Sequence, residues 1–97
     1  MPDVFAIHHD ERGHRLQTVV DGQPCVLVYR LGGPDGMVMT IDHTGVPPHY
    51  RGHGIAQLLV DRMIDDVRAA GTKVVPLCSY VVAQFRRHPE WSDLLAD

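Results

Sequence analysis

The feature that most constrains the fold is a change of hydrophobic period shortly after residue 50. Before it, apolar and polar residues alternate, as in residues 15–20, where Leu16, Thr18 and Val20 share one side. After it, apolar residues recur every three or four positions through residues 55–70. A period of two indicates β-strands and a period of 3.6 indicates a helix. The chain is therefore predicted to be an α/β protein that begins with strands.

Four strands are predicted in the first half, separated by residues typical of turns. Asp21-Gly22 is a favoured tight-turn pair, and glycine and proline are concentrated in residues 32–36. Connections this short favour antiparallel neighbours. The predicted strands are residues 4–9, 15–21, 24–31 and 37–46.

The second half is predicted to contain a helix, a fifth strand and a second helix. The first helix covers residues 55–70 and ends before Gly71, since glycine is favoured at helix C-termini. The fifth strand covers residues 73–78, where Pro76 restricts it to a sheet edge or to a place where a ladder hydrogen bond is missing. A strand, a crossover helix and a further strand imply that strands four and five are parallel. The result is a mixed sheet of α/β (α+β) type.

The second helix is predicted over residues 79–88. Ser79 is its expected N-cap residue, and Pro89 follows the expected end of the helix. One last turn is expected around Trp91 and Leu94.

Size and charge restrict the classes of function. The 97 residues are expected to form one domain over residues 1–97. The net charge of -3, without a run of Lys or Arg, argues against general nucleic-acid or membrane-surface binding. No apolar run approaches the ~18 residues of a membrane span, and no secretory signal is expected. Two widely spaced cysteines fit free thiols in a cytoplasmic protein.

The segment VPPHYRGHGIAQLL, residues 46–59, joins strand four to the long helix without an ordinary N-cap residue. Gly52 and Gly54 leave the backbone open to a ligand, and Arg51 adds a permanent positive charge. Free first-turn amides and the helix dipole would favour a phosphate there. The same glycines also suit a simple turn that binds nothing. Neither a Walker loop nor a dinucleotide fingerprint fits, because the chain has no Gly-Lys pair and too few glycines.

A third loop pattern does match. Residues 51–56 resemble the loop pattern [Q/R]-x-x-G-x-[G/A] of the GNAT superfamily of N-acetyltransferases. These residues are Arg51, Gly52, His53, Gly54, Ile55 and Ala56. The segment GTKVVPLCSYVVAQFRRHPEW extends the likeness, so that residues 24–95 resemble the family of minimal GNAT-like proteins.

The resemblance implies an N-acetyltransferase that uses acetyl-CoA and an amine acceptor, which is a small molecule or a protein. Pantetheine would lie between strands four and five against Gly45 and Val46, and the six loop residues would bind the pyrophosphate. The thioester would point toward Cys78, Ser79 and Tyr80.

Two other functions remain open at this level. The chain has no room after its first strand for the helical pair that usually builds much of the acceptor site in the larger family. That departure favours a non-catalytic CoA-binding or acyl-CoA-binding module that regulates a partner protein. In a third interpretation, the glycine loop is only a turn in a protein-interaction domain.

Three side chains are candidates for the chemistry. Cys78 precedes a predicted helix, whose N-terminus would lower the pKa of its thiol, so it could accept the acetyl group; the alternative is a buried core residue. His43 is a candidate general base, or a histidine satisfied on the sheet. Tyr80 could protonate the departing CoA thiolate, or anchor its helix by packing. Asp42 is expected on the face opposite His43 unless a β-bulge intervenes.

No metal is expected, although the chain has seven histidines. His49 and His53 have helical i, i+4 spacing, but glycines surround them and a structural zinc site needs four ligands. Cys25 lies within an apolar strand and is expected in the core. An exposed sheet edge is compatible with a monomer or a homodimer.

Overall fold

A computed structural model describes residues 6–96, which form a five-stranded sheet and two helices. Two short 3-10 turns, Pro48–Tyr50 and Pro89–Leu94, follow the fourth strand and the second helix respectively. The regular elements are β1 (His8–Asp10), β2 (Arg15–Val20), β3 (Gln23–Gly32), β4 (Val38–Gly45), α1 (Ile55–Ala70), β5 (Lys73–Pro76) and α2 (Ser79–Arg87).

The strands lie in the order β1-β2-β3-β4-β5. The first three pairs are antiparallel, and β5 runs parallel to β4. Helix α1 makes the crossover between β4 and β5, because parallel neighbours cannot be joined by a tight hairpin. The predicted mixed sheet and its parallel edge strand are confirmed.

The bounds of α1 match the prediction because local signals determine both ends. Gly71 takes a left-handed conformation with φ 72°, and its amide donates to the Arg68 carbonyl at 3.4 Å. Glycine adopts this conformation without the cost that a Cβ would impose.

The first strand differs from the prediction. Residues 4 and 5 of the predicted strand lie outside the described part, and β1 begins at His8 and includes Asp10. The turn that follows is tight, since Asp10 accepts a hydrogen bond from the Gly13 amide at 2.9 Å, and pairing therefore continues to Asp10 opposite Arg15. Asp10 was expected in the turn.

The junction between β5 and α2 also differs. Strand β5 ends at Pro76 instead of residue 78, because the amides of Leu77 and Cys78 both donate to the Ile41 carbonyl, at 3.0 and 3.1 Å. The predicted N-cap role of Ser79 is wrong: Cys78 is the N-cap residue, and Ser79 is the first residue of the helix.

The core lies on one face of the sheet, between the strands and the two helices. Register places Leu16 opposite Leu27, Tyr29 opposite Ile41 and Met39 opposite Val74, and all of these side chains are buried. Each buried leucine or isoleucine contributes about 1.5–3 kcal/mol. Cys25 is in this core, as predicted. Helix α1 contributes Ile55, Leu59, Val60, Met63, Ile64 and Val67.

The opposite face of the sheet has no covering layer within residues 6–96. None of the strand residues on that face is buried, and the Val19 side chain is 60% exposed. Only four residues separate β1 from β2, so no helix is inserted between these strands.

A polar network attaches the short β1 to α1. His9 Nδ1 lies 2.8 Å from Asp66 Oδ2, and His9 Nε2 lies 2.7 Å from the Tyr29 hydroxyl oxygen. Arg62 donates to the other Asp66 oxygen at 3.1 Å. Both imidazole nitrogens are therefore engaged, which is a structural role.

Neither helix is long and apolar enough to cross a membrane.

Candidate functional site

A cleft opens where the two parallel strands separate. Pairing between β4 and β5 ends at Ile41 and Pro76. Beyond that point β4 continues to Gly45, paired only with β3 among the described strands. The edge of β4 from Asp42 onward is therefore no longer covered by β5 and is accessible from the cleft.

The cleft continues into a cavity of about 730 Å³, within the range of small-molecule sites. It lies between the end of β4, the glycine loop, the start of α1 and the start of α2. Nine of the predicted site residues line it: His43, Val46, Arg51, Gly52, Gly54, Ile55, Ala56, Cys78 and Tyr80. Gly45 and His53 do not line the cavity.

The glycine loop leaves the start of α1 accessible. Gly52 has φ 85° and Gly54 has φ 78°, both in the left-handed region, and a Cβ on either would meet nothing within 4 Å. No side chain caps the helix at Gly54, and the Leu58 amide makes the first helical bond, to the Gly54 carbonyl at 3.1 Å. The amides of Ile55 and Ala56 thus lack a partner within residues 6–96, beside the cavity.

The Cys78 thiol sits at the other end of the site. Its Sγ lies 3.4 Å from the Thr44 hydroxyl oxygen. Burial alone would raise the pKa of the Cys78 thiol, but hydrogen bonds from the Thr44 hydroxyl and from the backbone amides of Val81, Tyr80 and Thr44 outweigh it, and the net pKa is lowered. Two of these amides belong to the first turn of α2, where the helix dipole also favours a thiolate.

His43 lies on the uncovered face of the sheet, opposite Val28, and also borders the cavity. A Cβ on Gly45 would lie 3.0 Å from His43 Nε2, so the imidazole rests over the bare backbone of that glycine. The imidazole makes no hydrogen bond within the described part of the chain, and in particular none to Cys78. It is therefore available to an incoming group.

A β-bulge changes the expected position of Asp42. Val28 pairs with His43 and Tyr29 pairs with Ile41, which leaves Asp42 as an extra residue in β4. Its carboxylate accepts two hydrogen bonds from Arg30, at 2.7 and 2.9 Å, on the same face as His43. Opposite faces were expected only for a strand without a bulge, so the β-bulge is the exception that applies here, and Arg30 rather than His43 is the partner of Asp42.

Helix α2 presents a polar stripe to the cavity. Tyr80, Gln84 and Arg87 are spaced i, i+4 and i+7, and all three line the cavity. Burial raises the pKa of Tyr80, the positive charge of Arg87 lowers it and Asp61 raises it; the net shift is upward, so the phenol stays protonated at neutral pH. No carboxylate lines the cavity in the described residues, whereas Arg51 and Arg87 do.

Comparison with known proteins identifies the family of the chain. A family model described as GCN5-related N-acetyl-transferase matches residues 15–94. The chain belongs to this family. The predicted resemblance to GNAT proteins is thereby confirmed, and with it the general class of acetyltransferase.

Two known proteins are similar to this chain over most of its length. Protein NATD1 of Homo sapiens is 29% identical over 85 residues, which are 86% of this chain and 74% of the human protein. The structure of a ribosomal-protein-alanine N-acetyltransferase from Brucella melitensis biovar Abortus 2308 matches with a TM-score of 0.52 and 24% identity over 86% of this chain. This chain spans 61% of that bacterial protein, and the likeness shows the fold.

Several cavity residues of this GCN5-related N-acetyltransferase were missed from the sequence. The i, i+4, i+7 spacing from Tyr80 was a usable signal for the polar stripe of α2. The others depend on how separate segments meet, for which the sequence offers no local signal. The missed residues are Thr44, Tyr50, Gln57, Gln84 and Arg87, whereas Ser79 was expected near the thioester and does line the cavity.

The two histidines considered as metal ligands lie between β4 and α1. His49 lies in the 3-10 turn with its ring centroid 5.1 Å from that of Tyr50, and His53 follows Gly52 in the loop. Among residues 6–96, no three His, Cys, Asp or Glu side chains form a cluster suited to a metal ion.

Proposed function

We propose that the protein binds acetyl-CoA in the cavity between β4, α1 and α2 and transfers the acetyl group to an amine. One observation carries this proposal. A single cavity joins the uncapped start of α1, at Ile55 and Ala56, to the Cys78 thiol and His43 at the separation of β4 and β5. An anion-binding end and a chemically active end thus face the same space, as transfer from a phosphate-bearing thioester requires.

The phosphate end is formed by the glycine loop. The free amides of Ile55 and Ala56 and the positive end of the helix dipole suit the pyrophosphate, and Gly52 and Gly54 let it approach. Arg51 donates from Nε to the Val46 carbonyl at 3.3 Å, which leaves its terminal nitrogens available to an anion. Arg87 contributes a second positive charge to the cavity.

The pantetheine arm would lie along the unpaired edge of β4. An extended chain with amide groups can bond to that edge much as an added strand does. Val46 lines the cavity there. Gly45, which has no side chain, leaves room for the His43 imidazole beside the cavity. The thioester would then reach the region of Cys78 and Tyr80.

In a direct transfer, the acceptor nitrogen attacks the thioester carbonyl carbon and His43 takes a proton from that nitrogen. The carbon–sulfur bond breaks as the new carbon–nitrogen bond is completed. The departing CoA thiolate takes a proton from Tyr80, whose raised pKa means that the phenol is protonated at neutral pH; Tyr80 then regains a proton from solvent and His43 releases one to it.

In a transfer through Cys78, the thiolate attacks the thioester carbonyl and the CoA thiolate leaves, so one thioester replaces another. The amine then attacks the acetyl-Cys78 carbonyl, loses its proton to His43 and regenerates the Cys78 thiolate. The lowered pKa of Cys78 favours this route, because more thiolate is present at neutral pH.

A second candidate function is a CoA-binding or acyl-CoA-binding module that regulates a partner protein without transferring an acetyl group. The observation in its favour is the uncovered sheet face beside His43. Among the described residues, nothing covers this face to form a pocket for an acceptor amine. Such a module would bind CoA as well as the enzyme does and would not release it from acetyl-CoA in the presence of amines.

The test is a measurement of CoA release from acetyl-CoA with a panel of peptide and small-molecule amines, combined with the intact mass of the protein. Replacement of His43 by Ala should lower transfer, whereas His8→Ala, an exposed histidine elsewhere on the same face, should not. An added acetyl mass that is absent in Cys78→Ala indicates the covalent route. Binding of CoA without release for any amine indicates the regulatory module.

A further inference from the structure

Gln84 is a buried polar residue that the fold itself leaves unsatisfied. It is only 4% exposed, yet its side-chain amide has no hydrogen-bond partner within residues 6–96. Three polar residues are buried within residues 6–96, namely Thr18, whose hydroxyl donates to the Ala6 carbonyl at 2.9 Å, Thr72 and Gln84, and of these only Gln84 lines the cavity. An unpartnered buried amide costs stability, and such groups are rare in folded proteins.

The position of Gln84 shows where a partner would come from. It lines the cavity, one helical turn beyond Tyr80 on α2 and one turn before Arg87. Along the helix, Gln84 therefore lies between the Cys78 end of the cavity and the positive charge of Arg87. A ligand that spans the cavity from the thiol to the cations would pass this amide.

The chemistry of the side chain narrows the ligand group. A glutamine amide offers two N–H donors and a carbonyl acceptor, which complement another amide better than a phosphate or a thioester. A phosphate would use only the donors and would match the two arginines of the cavity better. The pantetheine arm of CoA carries two amides between its thiol and its phosphates.

We propose that Gln84 binds an amide of the pantetheine arm, so that α2 grips the arm from the side opposite the β4 edge. This inference rests on the proposed function, since it requires CoA in the cavity. The unsatisfied amide is then a preformed ligand-binding group that costs stability in the free protein and is satisfied on binding.

The test compares wild-type protein with Gln84→Leu and Gln84→Met, using titration calorimetry and thermal unfolding. Three probes are used: CoA, 4′-phosphopantetheine and adenosine 3′,5′-bisphosphate. Both variants should bind CoA and 4′-phosphopantetheine about fivefold to tenfold more weakly and the adenosine bisphosphate unchanged. Without ligand, both should unfold at a higher temperature, because an unsatisfied polar group has been removed. Gln17→Leu, on the uncovered sheet face, is the matched control.

The outcomes separate this inference from the proposed function. Wild-type and variant proteins that bind CoA equally well would overturn the role of Gln84 and leave the acetyl-CoA site standing. Equal weakening for the adenosine bisphosphate would also overturn it, because the amide would then act on the nucleotide end. Wild-type protein that binds no CoA would overturn both.

Discussion

The Cys78 thiol lies 3.4 Å from the Thr44 hydroxyl oxygen, at the point where β4 and β5 separate. Thr44 is paired with the core residue Leu27, so its side chain is on the helix face of the sheet. The β-bulge just before it leaves His43 on the other face, bordering the same cavity. The thiol and the imidazole thus lie toward different faces of the sheet, and the hydrogen-bond partner of the thiol is Thr44 rather than His43.

Replacement of Thr44 by Val should raise the pKa of Cys78. The hydroxyl stabilises the thiolate and lowers the pKa of Cys78, whereas burial raises it. Without the hydroxyl, less remains to offset the effect of burial. The pH profile of Cys78 alkylation by iodoacetamide, located by mass spectrometry, should therefore move to higher pH. Thr40→Val, on the uncovered face of the same strand, is the control and should leave the profile in place. Identical profiles for Thr44→Val and wild-type protein would show that the hydroxyl has no such effect.

Gly45→Ala should displace the His43 imidazole. The new Cβ would lie 3.0 Å from His43 Nε2 and 3.4 Å from Val26 Cγ2, and the histidine is the group with room to move. Acetyl transfer should fall at least about tenfold, toward the rate of His43→Ala, because a positioned general base contributes at least that much. Gly32→Ala, where a Cβ meets nothing within 4 Å, is the control. Full activity with an unchanged pH–rate profile in Gly45→Ala would argue against His43 as the base.

Gly54→Ala should weaken CoA binding by about tenfold or more. An alanine at φ 78° costs about 1–2 kcal/mol of strain, and relief of that strain would move the first amides of α1. Gly36→Ala, at φ 69° at the other end of β4, suffers similar strain away from the cavity. Calorimetry should show weaker binding for Gly54→Ala alone, with similar loss of thermal stability in both variants. Equal CoA affinities would indicate that the loop is only a turn.

Arg87→Ala and Arg86→Ala form a matched pair of adjacent substitutions in the last turn of α2. Only Arg87 lines the cavity, so its loss should weaken CoA binding about fivefold to tenfold and reduce the salt dependence of binding. Arg86→Ala should bind CoA as wild-type protein does. A similar effect of both substitutions would indicate a general charge effect instead of a contact in the cavity.

Local signals predicted the parts of the fold that depend on neighbouring residues. The periodicity of α1 and the conformational freedom of Gly71 define that helix, and Asp21-Gly22 forms the predicted turn between β2 and β3. The first strand was misplaced, because its extent depends on pairing with β2 and on the Asp10–Gly13 turn bond.

The candidate site was predictable in outline and less so in detail. A motif defined the glycine loop, and the chain order brought Cys78 to the start of α2. The β-bulge at Asp42 depends on how β3 and β4 align, and the burial of Gln84 depends on how α2 packs against the sheet. Neither has a signature in a single segment.

The most direct test of the central claim is calorimetric titration of the wild-type protein with CoA and acetyl-CoA, with thermal unfolding measured in parallel. We expect one site per chain, with a dissociation constant in the micromolar range or tighter and a higher unfolding temperature when ligand is present. No heat of binding and no thermal shift with either compound would contradict it.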